Sequence, residues 1–93
     1  MTTRVFRSPR AGVEIEEIAV YLAEHSPPAA QRFLQALERA QQQLSEFPNS
    51  VAAGLTPGTR RLIVGDYIVS YRRRESAVEI FAVRHASRRD ARL

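Results

Sequence analysis

Apolar positions along this chain switch between two periods, and each switch marks a change of secondary structure. Thr2–Arg7 (TTRVFR) is short and carries β-favouring Thr, Val and Phe, which predicts a strand over about residues 2–7. Ser8-Pro9 follows as a helix start, with Ser8 as cap and Pro9 at the first helical position. Over residues 9–25, Ala11, Ile15, Ile18 and Leu22 fall on one helical face. Glu14, Glu16, Glu17 and Glu24 occupy much of the remainder, the earlier acids being expected to complement the helix dipole, and Tyr21 is expected in the core or in helix packing. Ser26-Pro27-Pro28 ends this helix and opens another, because prolines in a first turn remove only amides without intrahelical partners. From there Ala30, Phe33, Leu37, Ala40, Leu44 and Phe47 alternate spacings of three and four up to Pro48. That series predicts a helix over 27–47 with its apolar positions in the core, folded back on the first as an antiparallel hairpin.

Residues 48–58 hold two prolines and two glycines and read as a loop. The period then falls to two. RRLIV (60–64) meets a Gly65-Asp66 turn, YIVSYRR (67–73) follows, and AVEIFAVR (77–84) comes after a second turn at 74–76. In the middle strand Tyr67, Val69 and Tyr71 share one face, with Ile68, Ser70 and Arg72 on the other. In the last strand Val78, Ile80 and Ala82 oppose Glu79, Phe81 and Val83. Residues 85–93 form a charged tail. The predicted fold is α+β in the order β-α-α-β-β-β: an antiparallel sheet packed against a helical hairpin, as a single domain over residues 1–93.

Composition narrows the chemistry. With no cysteine and only His25 and His85, disulfides and thiolate metal sites are excluded, and neither a metal nor another cofactor is expected. A chain of 93 residues without such staples relies on a lean core or on a protein partner. No run of about 18 apolar residues occurs and the opening ten residues are polar, so no membrane role and a cytoplasmic location are expected. All 14 basic residues are arginine. Residues 1–50 carry a net −1 and residues 51–93 a net +5. Arg60, Arg61, Arg72, Arg73 and Arg74 come from adjoining strands, and Arg84, His85, Arg88, Arg89 and Arg92 follow. Such a field suits phosphates or an acidic polypeptide. The plainer reading is that these arginines keep an outer sheet face solvated, with His85 a hydrogen-bonded strand end that anchors the tail.

SPRAGVEIEEIAVYLAEHSPPAAQRFLQALERAQQQLSEFP, TRRLIVGDYIVSYRR and VEIFAVRHASRR together, in this order and spacing, resemble the RelE/ParE superfamily of type II toxin–antitoxin toxins. The resemblance spans nearly the whole chain, and the helical glutamates with the HASRR ending are more similar to ParE. It implies a toxin neutralised by a cognate antitoxin with an acidic, apolar segment, and contact with operator DNA only through that antitoxin. For ParE-type members it implies poisoning of DNA gyrase and growth arrest; for RelE-type members it implies ribosome-dependent mRNA cleavage. A third possibility is a decayed, non-toxic member that still works with its antitoxin.

Cleavage through a 2′-hydroxyl needs a base, an acid and cations on the transition state. The available groups are His85 with Arg60, Arg61 and Arg84, supported by Arg72, Tyr67 and Tyr71. Lysine is absent, and the tail HASRRDARL has no aromatic residue to stack on a base. The residues therefore favour a binding protein over an enzyme. Arg60, Arg61, Arg72, Arg73, Arg84, His85, Arg88, Arg89 and Arg92 are the expected contacts for target and antitoxin.

Overall fold

A computed structural model describes residues 3–48 and 58–87. Its elements are β1 (Arg4–Arg7), α1 (Pro9–His25), α2 (Pro27–Glu46), β2 (Thr59–Val64), β3 (Tyr67–Arg74) and β4 (Ala77–His85). The strands form one sheet in the order β1-β4-β3-β2. Two-residue turns join β2 to β3 and β3 to β4, so these pairs are antiparallel. The sheet is mixed, however, because β1 runs parallel to β4. A parallel neighbour needs a long crossover, and the intervening helices and hairpin supply it. Residues 1–2, 49–57 and the tail from 88 onward, with Arg88, Arg89 and Arg92, lie outside the described residues.

Local chemistry sets the helix ends. Ser8 Oγ accepts from the Ala11 amide at 3.1 Å, and Pro9 takes the first turn. Ser26 serves both helices: its amide closes α1 on the Leu22 carbonyl at 2.7 Å, and its hydroxyl accepts from Ala29 at the start of α2. A joint of one residue forces the chain back on itself, and both helices pack on the same sheet face. Ser8→Ala should therefore lower stability by about 1 kcal/mol, read as a lower urea midpoint with an unchanged slope.

The core joins Ala11 and Ile15 of α1 and Phe33, Leu37, Ala40 and Leu44 of α2 to Val64, Val69, Tyr71, Val78, Ile80 and Val83 of the sheet. Three expectations fail here for physical reasons. Phe47 is 59% exposed, because α2 stops at Glu46 and the non-helical backbone at Phe47 (φ −133°, ψ 66°) turns its ring away from the core. Tyr21 is 58% exposed; it falls outside the Ile15–Ile18–Leu22 stripe and rests its ring on His25, centroids 4.5 Å apart. In β4 the alternation reverses at a bulge: Tyr71 pairs with Ile80 and Ser70 with Ala82, leaving Phe81 as the extra residue. Val83 thereby joins the helix-side cluster, while Ala82 takes the opposite face, where it is still fully buried opposite Ser70. The dipole expectation fails too, since the first turn of α1 contains no acid.

Tyr71 links the sheet to the end of α2: its hydroxyl donates to the Pro48 carbonyl at 3.0 Å. Burial pushes this hydroxyl above its ordinary value of 10.0, against a smaller opposing pull from the Arg60 guanidinium. The folded chain thus favours neutral tyrosine, so this contribution is intact below the unfolded value and is lost as pH rises through the raised one. Since the chain has no lysine or cysteine, the alkaline limb is easy to read. Tyr71→Phe should cost about 1 kcal/mol at neutral pH yet flatten the fall in stability above pH ~10, as followed by urea unfolding from pH 8 to 11.

Candidate functional site

Strand alternation and the observed register sort the arginines onto two faces. On the face away from the helices lie Arg61 of β2, Arg72 and Arg74 of β3, and Arg4 and Phe6 of β1, together with Glu79 and Phe81 of β4. Arg60 pairs with Tyr71 and Arg73 with Val78, which puts both on the helix-covered side at one end of the sheet. The predicted arginine field is therefore split. Arg61, Arg72 and Arg74 share a face; Arg60 and Arg73 leave it.

One carboxylate organises the open face. Glu79 Oε1 accepts from Arg72 Nε at 2.9 Å and lies 3.8 Å from Arg74 Nε, with its own side chain only 12% exposed. The Arg72 guanidinium also stacks over Phe81, 4.5 Å from the ring centroid, and Arg4 sits 5.1 Å over Phe6. Four strand arginines thus face one strand acid, leaving a net three positive charges beside the exposed Ile63. The arrangement holds planar cations in fixed positions with apolar surface between them, which suits an acidic, partly apolar polypeptide or a phosphate backbone.

Arg84 is engaged elsewhere. β1 ends at the level of Ile80, so the rest of β4 has an unpaired edge. Glu14 of α1 covers it: Oε1 accepts from the Val83 amide at 2.9 Å, while Oε2 lies 2.9 Å from Arg84 Nη1 and 3.3 Å from Arg10 Nε. A side-chain carboxylate here takes the place of a neighbouring strand's carbonyl.

His85 closes β4 opposite Tyr67. Its Nδ1 accepts from the Ser87 amide at 3.2 Å and lies 2.7 Å from Ser87 Oγ, while its ring meets Tyr67 edge-on at 5.3 Å. Tyr67 in turn packs on Phe33. His85 borders a groove of about 620 Å³ between α1, the β2–β3 turn and the end of β4, whose other walls include Glu17, Tyr21, Asp66 and Arg84. Arg60 lies on β2, two strands across and four residues along from His85, roughly 16 Å away at about 3.3 Å per residue and about 4.8 Å between strands, and Arg61 points to the opposite face. The four residues expected for RNA cleavage are not brought together. Among the described residues no cluster of three or more His, Asp or Glu suited to a metal occurs, and no helix is long and apolar enough to cross a membrane.

Sequence reasoning missed Glu14, Glu79, Phe6 and Phe81. Glu79 was visible as the lone acid between apolar residues in its strand. The roles of Phe81 and Glu14 depend on the bulge and on where β1 ends, and neither leaves a local signal.

The sequence profile of the ParE toxin of the type II toxin–antitoxin system parDE matches residues 5–90. The chain belongs to the ParE toxin family. It is 37% identical over 79 residues to the protein Y4kP of Sinorhizobium fredii, covering 83% of this chain and 81% of that one. It is 30% identical over 79 residues to the toxin RelE2 of Caulobacter vibrioides, covering 85% and 90%. Its fold is similar to a solved structure of the chromosomal ParDE system of P. aeruginosa, with a TM-score of 0.79 at 15% identity over 92% of this chain and 98% of that one. This ParE-family chain is thus a member of the wider RelE/ParE group of toxins, with two helices on a four-stranded mixed sheet.

Proposed function

We propose that this ParE-family toxin arrests growth in the cytoplasm by binding DNA gyrase through its open sheet face, breaks no bond itself, and is neutralised by a cognate antitoxin. One observation carries this reading: of the residues that would have to cleave RNA only His85 and Arg84 share a groove, with Arg60 and Arg61 elsewhere, while Arg61, Arg72 and Arg74 share one presenting face. His85 is held by Ser87 and Tyr67, and Arg84 by Glu14, as structural residues are held. Arg88, Arg89 and Arg92 extend the proposed contact beyond the described residues.

The antitoxin fits the same surface. With β4's edge covered by Glu14, β2 offers an open edge next to Arg61 and Ile63. An extended acidic and apolar segment can add a strand there and lay its carboxylates over the arginines. Binding of this kind also stabilises a small domain by mass action.

Purified protein at micromolar concentration should inhibit supercoiling by gyrase and leave cleaved DNA. Unaltered supercoiling with no cleavage would remove gyrase as the target. Similarity to a relative named RelE2 favours mRNA cleavage as the second reading. It requires new 5′ ends on translated mRNA after induction, lost on His85→Ala.

A further inference from the structure

The outward side of α1 bears an unusual surface. Val13 and Val20 stand directly opposite the buried Ala11 and Ile15, and are 54% and 52% exposed. With Tyr21 they make an apolar stripe at positions i, i+7 and i+8, the spacing by which one helix packs along another. Glu16, Glu17 and Glu24 lie within the same stripe, and the six side chains line a shallow trough of about 430 Å³. A helix face needed only for solubility would carry charges at its most outward positions. This one has valines there.

Charge identifies the occupant. Residues 11–24 contain four glutamates and no arginine, in a chain whose net charge is +4. Glu14 is committed to Arg84 and the β4 edge, which leaves Glu16, Glu17 and Glu24 facing out. An acidic partner meets repulsion at this stripe, and a second copy docking α1 on α1 would set glutamates against glutamates. We infer that the outward face of α1 is a docking stripe for a basic amphipathic helix of another protein, its apolar side on Val13, Val20 and Tyr21 and its cations on Glu16, Glu17 and Glu24. The stripe lies on the helix layer, away from the arginine face of the sheet, so both surfaces can be occupied at once. It does not depend on which target the sheet face takes.

The test uses the full chain and a fluorescein-labelled synthetic helix of about five turns, with leucines along one side flanked by arginines. A second peptide has glutamate at each arginine. The first should bind with an anisotropy change that Glu16→Arg/Glu17→Arg weakens by roughly tenfold or more, and Val13→Ser/Val20→Ser likewise. Glu38→Arg/Glu46→Arg on α2 makes the same change of charge elsewhere and should leave affinity unchanged. All three pairs replace exposed side chains, so circular dichroism should match wild type. The inference is overturned if the basic peptide does not bind, if the valine pair has no effect, or if the α2 pair weakens binding equally. It is also overturned if the free protein dimerises and Val13→Ser/Val20→Ser abolishes the dimer, since a second copy would then be the occupant.

Discussion

Glu14→Ala is expected to lower the stability of this domain by about 2–3 kcal/mol, a large part of the total for a chain this small. The carboxylate is the acceptor for the Val83 amide and the counter-charge of Arg84, and its side chain is only 12% exposed. Removing it strips the β4 edge of an acceptor and takes one counter-charge from a guanidinium that is only 22% exposed. Breaking a fully buried pair in this way costs about 3–5 kcal/mol, and the residual solvent access of Arg84 reduces that figure. Thermal unfolding should show a midpoint lower by roughly 8–24 °C, at ~4–8 °C per kcal/mol for a domain of this size. Glu14→Gln keeps an oxygen for Val83 and loses only the charge, so it should fall between the two. Equal stability of wild type and Glu14→Ala would show that the β4 edge needs no cover.

Arg61→Glu/Arg74→Glu is expected to weaken binding of the antitoxin by about 100-fold or more. The open face goes from four arginines against one glutamate to two against three. Each reversal removes an attraction and adds a repulsion to an acidic segment; at about 2 kcal/mol per site the pair amounts to roughly a thousandfold at most. The choice of residues matters. Arg72 is excluded because its loss would leave the nearly buried Glu79 without its 2.9 Å partner and confuse folding with binding. Arg74 is more exposed and lies 3.8 Å from that carboxylate, so it reports on the surface. Titration calorimetry with purified antitoxin measures the loss, and the remaining binding should depend less on salt.

Much of the architecture was legible because it follows from short-range chemistry. Serine-proline pairs start both helices, and the three-and-four alternation from Ala30 to Leu44 fixes which side of α2 is buried. The Gly65-Asp66 turn, with Gly65 at φ +60°, sets the register of the first hairpin. What was not legible depends on long-range pairing. Whether β1 lies parallel to β4 is decided by where the helices leave the chain, not by the residues of TTRVFR. The bulge at Phe81 adds one residue to a strand whose sequence alternates smoothly, so the faces of Ala82 and Val83 were exchanged. The arginines were correctly placed on adjoining strands, but strand position alone does not give the face. Register moved Arg60 and Arg73 to the helix side and left Arg61, Arg72 and Arg74 together.

The central claim is that guanidinium groups on the open sheet face hold a macromolecular target while His85 performs no chemistry. It is tested most directly by comparing gyrase inhibition by wild type, His85→Ala and Arg61→Glu/Arg74→Glu in one supercoiling assay, each variant first shown to be folded. His85→Ala should inhibit as wild type does, and the arginine pair should lose inhibition. Inhibition that survives the arginine pair and vanishes with His85→Ala would contradict the account.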